Sequence, residues 1–323
     1  MSKLKPLADK LQAARQTLAE HLPWSPVSYV PGISLEGDRQ LYAEELTRDL
    51  PAENDLRFTY ADPQGRRFAV LAQRLPWDSD FFGYGVARLD GVFPLDPPYG
   101  QIEPNLEDVL EALIDHAKER GIRYLFSQVD PRDLALLRAL GAHRFTLLET
   151  RLHYHFSVQI VHYVRLPDHM SEQSSRFRPA REEDIPSLAA VAREATNPYD
   201  RFHADPFITS DQVARLMTIW VEESVRGRFA DLTIVPDVDE PRAFITYRLH
   251  RESWDRWNMH LVQPVLSAVA PECYGWFAGV GPQINQHLRE LGGHHAFGKT
   301  QIVLGLDATV HLGKGEHVFR LLL

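Results

Sequence analysis

The stretch that decides the fold reads Val265-Leu-Ser-Ala-Val-Ala-Pro-Glu-Cys-Tyr-Gly-Trp-Phe-Ala-Gly-Val-Gly-Pro282. Its apolar start is typical of a buried strand, and glycines then follow up to Pro282. Because glycine lets backbone N–H groups approach an anion and a helix N-terminus adds a positive dipole end, this layout predicts a phosphate-binding turn. Proline suits a first helical turn, so we predict that the helix begins near Pro282. A tight connection without a ligand is the alternative.

The composition is that of a globular protein with one large domain or two ordinary ones. The chain has 323 residues, of which 44% are hydrophobic and 24% charged. Its formal charge of −9 argues against a nucleic-acid partner, since such proteins usually carry a basic surface. The single cysteine, Cys273, excludes an intrachain disulfide and favours a reducing compartment. With neither a membrane-spanning apolar run nor a signal-like N-terminus, we expect a cytoplasmic protein without a membrane partner.

Hydrophobic periodicity predicts the same order of elements in two parts of the chain. In the first part we predict a helix over 106–120, a strand over 122–129, a short helix over 130–140 that ends at Gly141, and a strand over 145–156. Near the C-terminus we predict a helix over 283–291, a strand over 296–302 and a second short helix that ends at Gly313. Two related α/β halves follow from this repeat, joined by the polar segment 167–175.

The remaining patterns predict three further features. Leucines at helical spacing predict an amphipathic helix over 4–22. Residues 57–60 and 67–74 predict a hairpin around Asp62-Pro-Gln-Gly65, whereas 23–55 show little periodicity. Residues from Phe177 onward open a strand and a new helix.

Two segments resemble the GCN5-related N-acetyltransferase (GNAT) superfamily. Phe177-Arg-Pro-Ala-Arg-Glu-Glu-Asp-Ile-Pro resembles its opening strand and helix start, and Ala268-Val-Ala-Pro-Glu with the glycine turn resembles its fourth strand and acetyl-CoA loop. More narrowly, Leu75-Pro-Trp-Asp-Ser-Asp-Phe-Phe-Gly83, Asp200-Arg-Phe-His-Ala-Asp-Pro206 and Trp220-Val-Glu-Glu-Ser-Val-Arg-Gly227 are similar to segments of dTDP-4-amino-4,6-dideoxygalactose (TDP-fucosamine) acetyltransferases. The resemblance covers roughly residues 68–323.

The resemblance implies an α/β (α+β) fold of two GNAT-like halves, each contributing to a mixed, mostly antiparallel sheet flanked by helices. We therefore expect an N-terminal helical extension over 1–55, a degenerate half over 56–166 and a catalytic C-terminal half over 176–323. It implies acetyl-CoA as the co-substrate, whose thioester the free amine of an acceptor attacks directly. A backbone amide around Val269 or Ala270 is the expected oxyanion donor.

The acetyl-CoA loop can be aligned with the family pattern Gln/Arg-x-x-Gly-x-Gly/Ala in two registers. One runs from Tyr274 to Gly279 and places Phe277 at the central glycine; the other runs from Trp276 to Gly281, keeps both glycines and lengthens the turn by two residues. Both stay open, and together they give one set of cofactor-binding candidates: Val269, Ala270, Tyr274, Gly275, Phe277, Ala278, Gly279, Val280 and Gly281.

The chain departs from the family in the short helix after its fifth strand. The family places there an Asn that contacts CoA and a Tyr that protonates the thiolate. Here the Tyr position is Thr309, and no Asn follows Gln301. The catalytic candidates are His311, the titratable residue of that predicted helix, for which solvation or packing is the alternative, and His260, a candidate general base before the glycine turn.

The acceptor candidates come from the segments similar to the sugar-nucleotide enzymes. Arg201, Phe202, Trp220 and Arg226 are the substrate-binding candidates, because arginine matches phosphate oxygens; an ion pair or a core position is the alternative. Trp77, Asp78, Phe81 and Phe82 are a second set, with packing as the alternative. His294-His295 lacks further ligands at metal spacing, so no metal is expected. The expected partner is a small-molecule amine, and a homodimer is left open.

Three functions follow. The first is an acyl-CoA-dependent N-acyltransferase that acts on an amino-sugar nucleotide or a similar small amine. The second is a catalytically degenerate GNAT-fold protein that serves as a binding or structural module, suggested by Phe277 and the lost Asn and Tyr. The third, acylation of a protein N-terminus or lysine, has less support because nothing in the acidic composition selects a peptide.

Overall fold

The computed structural model describes residues 4–7, 11–22, 25–95, 106–158, 176–258, 260–273, 275–300 and 311–323. The strands are β1 Leu4–Pro6, β2 Phe58–Ala61, β3 Arg67–Arg74, β4 Gly85–Pro94, β5 Ile122–Val129, β6 Thr146–Ser157, β7 Phe177–Pro179, β8 Leu232–Pro236, β9 Ala243–Leu249, β10 Leu261–Val269, β11 His295–Thr300 and β12 His311–Leu322. The helices are α1 Leu11–His21, α2 Leu35–Leu46, α3 Pro76–Phe82, α4 Glu107–Glu119, α5 Leu134–Ala142, α6 Ile185–Glu194, α7 Arg201–Ala204, α8 Ser210–Val225, α9 Arg251–Trp257 and α10 Trp276–Glu290. None of the described helices is long and apolar enough to cross a bilayer.

The chain forms two compact units. Unit 1 consists of residues 1–151 and 315–323, and unit 2 of residues 152–314. This division differs from the expected one at the N-terminus and at the C-terminus of the chain. Residues 4–46 belong to the body of unit 1, because α1 and α2 pack with β3 in one apolar cluster. The last nine residues also belong to unit 1, because β12 pairs with β5 from His317↔Val129 to Leu322↔Tyr124. The expected joint, residues 167–175, lies outside the described residues.

Unit 1 is a mixed, mostly antiparallel sheet with strand order β1-β2-β3-β4-β5-β12. The one parallel pair in this order, β4 with β5, is connected through α4. The apolar face of α4 (Val109, Leu110, Leu113 and Ala117) packs into a core with β2, β3 and β5. The predicted hairpin, the helix over 106–120 and the strand over 122–129 are confirmed.

Unit 2 repeats this plan with strand order β6-β11-β10-β9-β8-β7, to which β6 contributes its residues from Leu152 onward. Its parallel pair, β10 with β11, is connected through α10. Its core joins α10 to β8, β9 and β10. The predicted fold class, two related halves with mixed sheets flanked by helices, is therefore confirmed.

The helix after the glycine stretch begins six residues earlier than predicted. It starts at Trp276, and Pro282 lies inside it. The reason is packing: Trp276, Val280, Ile284 and Leu288 recur every four residues, and all four are buried in the core of unit 2. This apolar stripe outweighs the preference of proline for the first turn. The predicted glycine-rich turn is therefore mostly helix.

Four further predictions are corrected. Residues 4–22 form a strand followed by a helix, since Leu4–Pro6 pairs with β2 at a sheet edge that tolerates proline. Helix α2, capped by the Ser34 side chain, lies in the stretch 23–55, which shows little periodicity. Gly141 lies within α5, which Asp133 caps. The prediction that Gly313 ends a second short helix is wrong, because Gly313 lies in the strand β12.

Candidate functional site

The parallel strand pair of unit 2 opens after two residue pairs. β10 and β11 pair at Leu261↔His295 and Val262↔Ala296. From there β10 continues alongside β9 as far as Val269↔Ala243, while β11 continues alongside β6 as far as Thr300↔Leu152. β10 thus stays paired with β9, and β11 stays paired with β6. Among the described residues, the edge of β10 that faces β11 has no strand partner from residue 263 to 269.

A β-bulge in β10 lies at the start of this opening. Between the pairs Pro264↔Tyr247 and Ser267↔Ile245, two residues of β10 face the single residue Thr246 of β9. The buried Thr246 hydroxyl accepts a hydrogen bond from the Leu266 N–H at 2.9 Å and donates one to the Leu266 carbonyl at 3.1 Å. This side chain therefore ties the bulge to β9, on the side away from β11.

The N-terminus of α10 follows β10 at the same end of the opening. Gly275 caps the helix in the left-handed region (φ 88°), and a 3-10 turn, Pro271–Cys273, connects it to the strand. Glycine offers no side-chain acceptor, so the N–H groups of the first helical turn, at Trp276, Phe277 and Ala278, have no acceptor within the helix. The N–H of Gly279 already donates to the Gly275 carbonyl at 3.2 Å. The backbone N–H groups at a helix start, together with the positive end of the helix dipole, form a site suited to a phosphate.

The sequence-based cofactor candidates divide along this turn. Gly275 and the backbone of Phe277 and Ala278 lie at the helix start; Tyr274 lies outside the described residues, and the side chains of Phe277 and Ala278 are not described. Val280 and Gly281 lie in the second turn, where N–H groups bond to carbonyls four residues earlier.

Arg242 binds the turn before α10 through both its backbone and its side chain. Its carbonyl accepts a hydrogen bond from the Ala270 N–H at 2.9 Å, and its Nε donates to Glu272 at 2.8 Å. Its Nη2 also reaches Glu194, at the end of α6, at 3.3 Å. The Ala270 amide is thus engaged here, which leaves Val269 and the open edge before it as the nearer oxyanion candidates. Sequence reasoning missed Arg242.

Two tyrosines on strands that flank the opening were also missed. Tyr154 lies in β6 opposite Gly298 of β11, and Tyr247 lies in β9 opposite Pro264 of β10. Burial raises the pKa of both phenols, and Tyr154 raises the pKa of Tyr247 further. Both therefore stay protonated at neutral pH and can donate hydrogen bonds but not accept protons.

His260 lies at the opposite end of β10 from the turn. Its Nδ1 bonds to the Gly292 carbonyl, and its ring stacks between Trp254 and His294, at centroid distances of 4.7 and 4.4 Å. At a rise of about 3.3 Å per residue, β10 separates His260 from Val269 by about 30 Å. This distance argues against His260 as the general base at the turn.

The prediction that His311 lies in a short helix is wrong: it is the first residue of β12. Its side chain is not described, and Thr309 with the rest of 301–310 lies outside the described residues. Among the described residues, no three histidine, cysteine, aspartate or glutamate side chains are grouped so that they could hold a metal ion.

Three of the four substrate-binding candidates come together. The Arg201 guanidinium lies over the Phe202 ring at 4.3 Å, and the Phe202 ring meets Trp220 edge-on at 6.3 Å. All three side chains are half-buried, so they are neither fully buried in the core nor fully exposed on the surface. Arg226, in contrast, lies at the end of α8 and pairs with Glu222 and Glu223 at 3.8 and 3.6 Å.

The second set of acceptor candidates forms an aromatic row in unit 1. Trp77 stacks on Phe81 at 5.4 Å, and Phe81 meets Phe82 edge-on at 4.8 Å. The row continues through Tyr84 into the buried Tyr124. Trp77, at 41% exposure, is its outer end.

Comparison with known proteins gives structural matches only. No family model and no curated protein matches the chain. The GCN5-related glucosamine N-acetyltransferase region of a fungal multi-domain GH3 beta-N-acetylglucosaminidase matches over 98% of this chain with 12% identity and a TM-score of 0.60; the match spans about a third (37%) of that longer chain. A GCN5-related N-acetyltransferase from Sphaerobacter thermophilus matches over 98% of this chain and 92% of its own, with 11% identity and a TM-score of 0.53.

A tandem GNAT protein from the clavulanic acid biosynthesis pathway matches over 99% of this chain and 98% of its own, with 11% identity and a TM-score of 0.50. At these identities the matches bear on the fold, and they agree with the parallel pair, crossover helix and flanking antiparallel strands found twice above. The chain therefore has the fold of the GCN5-related N-acetyltransferases, present as two tandem halves.

Proposed function

We propose that the protein transfers an acyl group from acyl-CoA, with acetyl-CoA as the expected donor, to the primary amine of a small molecule. The observation that carries this proposal is the opened β10–β11 pair, with the uncapped N-terminus of α10 at its end. An open strand edge and a helix N-terminus in succession suit a ligand that is linear, bears amides and ends in phosphates.

Each part of the opening suits one part of CoA. Backbone N–H and C=O groups along the free edge of β10 can pair with the two amides of the pantetheine arm, as an added strand would. The amides at 276–278 can hold the pyrophosphate, with the helix dipole adding attraction. The thioester would then lie along the edge of β10 before Val269, where a backbone N–H can stabilise the oxyanion.

The reaction proceeds by direct attack. The acceptor ammonium first loses a proton, and the neutral nitrogen forms a bond to the thioester carbon. The C–S bond breaks, the second proton of the nitrogen goes to the thiolate, and an amide and CoA result. The protein supplies positioning, worth several orders of magnitude in rate, together with the oxyanion donor.

For the acceptor, we propose an amino-sugar nucleotide or a related amino sugar. Arg201, Phe202 and Trp220 offer a cation beside two aromatic rings, which suits a phosphate next to a sugar or a base. The matched fungal region is described as a glucosamine N-acetyltransferase, which agrees with this class.

Calorimetry with acetyl-CoA, followed by an acetylation assay, tests the proposal. We expect binding in the micromolar range and turnover with at least one amine from a panel of glucosamine, dTDP-linked amino sugars, polyamines and lysine peptides. Binding without turnover on any amine would favour the degenerate binding module instead. No heat of binding at millimolar acetyl-CoA would overturn the proposal.

A further inference from the structure

A histidine–carboxylate pair lies at the start of the short helix α7 in unit 2. The Nδ1 of His203 is 2.7 Å from the Asp200 carboxylate, and both side chains are largely buried, at 16% exposure. The second oxygen of Asp200 accepts the N–H groups of Phe202 and His203 at 2.8 and 3.0 Å. The carboxylate is therefore fixed by three hydrogen bonds, and it in turn fixes the orientation of the ring.

This pairing determines which nitrogen of His203 is basic. A carboxylate accepts the Nδ1 proton, so the neutral ring carries its lone pair on Nε2. Among the described residues Nε2 has no hydrogen-bond partner, and Asp200 is the one charged group within ion-pair distance of the ring. A histidine held by a carboxylate with its other nitrogen available is the arrangement that a general base requires.

The chain limits how far the pair can lie from the turn that precedes α10. Glu194, the last residue of α6, shares Arg242 with Glu272 of the turn, so the end of α6 lies beside the turn. Asp200 follows Glu194 by six residues, which limits their separation to about 20 Å even for an extended chain. The loop between them is folded back, since Asn197 accepts the N–H groups of both Tyr199 and Asp200.

The surroundings of His203 suit an amine acceptor. Phe202 and the Arg201 that lies over its ring are adjacent in the chain, and Trp220 of α8 contacts Phe202 edge-on. His203 is thus the next residue in the chain after Arg201 and Phe202 of the cation–aromatic group to which the proposed function assigns the acceptor.

We infer that His203 is the general base that activates the acceptor amine, with Asp200 as its positioning residue; the inference rests on the proposed function. Nε2 takes one proton from the acceptor ammonium, and the freed nitrogen lone pair attacks the thioester carbon. The second nitrogen proton goes to the leaving thiolate, and the imidazolium returns its proton to solvent. The net reaction converts ammonium and thioester into amide, thiol and one released proton.

The competing explanation is that the pair only caps α7. The variant Asp200→Asn distinguishes a capping role from a catalytic role, because asparagine is an equally good helix cap but carries no charge. His287→Gln is the matched control, since His287 has a carboxylate, Glu290, at the same three-residue spacing, at 3.8 Å, near the far end of α10.

The test measures acetylation of glucosamine with acetyl-CoA as a function of pH. We expect His203→Gln to lower kcat/KM about 100-fold at neutral pH, with the loss narrowing at alkaline pH where the amine is neutral without help. Asp200→Asn should lower it about 10-fold with an unchanged melting temperature, and His287→Gln should leave it unchanged. If His203→Gln lowers kcat/KM by the same factor at every pH, or does not lower it at all, the inference is overturned.

A second readout does not depend on turnover. Nitrogen-15 NMR of the labelled protein, recorded with the imidazole in its neutral form and assigned by comparison with His203→Gln, should show a protonated Nδ1 and an unprotonated Nε2. The opposite tautomer would overturn the inference even if the enzyme is active. If acetyl-CoA does not bind to the wild type, the proposed function fails and the inference fails with it.

Discussion

The two halves of the chain contain the same parallel strand pair in opposite states. In unit 1, β4 and β5 stay paired over five positions, from Gly85↔Ile122 to Leu89↔Ser127. In unit 2, β10 and β11 part after two. Among the described residues, the open edge of β10 leads through a short turn to the N-terminus of α10, so we propose that unit 2 is the half that holds the cofactor.

A single hydroxyl group in each half illustrates how the two states are maintained. In unit 1 the buried Ser127 donates to the Leu89 carbonyl at 3.0 Å, across the parallel pair, and holds it closed. In unit 2 the Thr246 hydroxyl binds both backbone groups of Leu266 and ties β10 to β9 instead. The same chemistry therefore closes one pair and helps to keep the other open.

The largest expected effect comes from charge at the helix start of unit 2. Gly275→Asp places a carboxylate where the pyrophosphate is proposed to bind, so we expect acetyl-CoA affinity to fall about 100-fold in calorimetry, from repulsion at close range. Gly65→Asp is the matched control, because Gly65 has a similar φ of 80° and open space around it, in a hairpin of unit 1. Equal affinities of the two variants would contradict the placement.

The next effect distinguishes the two hydroxyl groups. Thr246→Val leaves the Leu266 N–H without its acceptor, so we expect the free energy of unfolding in urea to fall by about 1–3 kcal/mol and acetyl-CoA affinity to fall as well. Ser127→Ala should cost about 1 kcal/mol and leave acetyl-CoA affinity unchanged. If Ser127→Ala weakens acetyl-CoA binding as much as Thr246→Val does, the claim that only the opening in unit 2 matters for binding is contradicted.

The smallest expected effect concerns the exposed ion pair that holds the turn. Arg242→Ala frees Glu272, so we expect a loss of acetyl-CoA affinity of about three- to fivefold, reduced at high salt because exposed pairs are screened. Arg228→Ala, which removes a comparable pair with Glu223 at the end of α8, is the control. A loss that is independent of salt would show that Arg242 acts otherwise than through its charge.

Sequence patterns predicted the repeated plan because burial sets both the strand and the helix periods. They missed the start of α10, because glycine and proline have low helix propensity and the buried four-residue stripe from Trp276 outweighs it. They also missed the opening itself. Strand pairing is set between segments distant in sequence, and no local pattern shows that β11 follows β6 rather than β10. Pro264 before the bulge is the one local signal that could have indicated it.

The site residues divide in the same way. Gly275 and the Arg201–Phe202–Trp220 group could be named from sequence, because turn chemistry and the resemblance both pointed to them. His203 and Arg242 could not, since what distinguishes each is a contact: a carboxylate on Nδ1 in one case and a turn held from both ends in the other. His260 was named because it precedes the glycine turn in sequence, yet the length of β10 separates it from that turn.

Hydrogen exchange read by mass spectrometry, with and without acetyl-CoA, tests the central claim most directly. The open edge of β10 at 263–269 and the first turn of α10 at 275–279 should exchange more slowly when acetyl-CoA is bound. The closed pair of unit 1, β4 and β5, should exchange at the same rate in both states. Protection confined to β4 and β5, or no protection in β10 and α10 at saturating acetyl-CoA, would contradict the account.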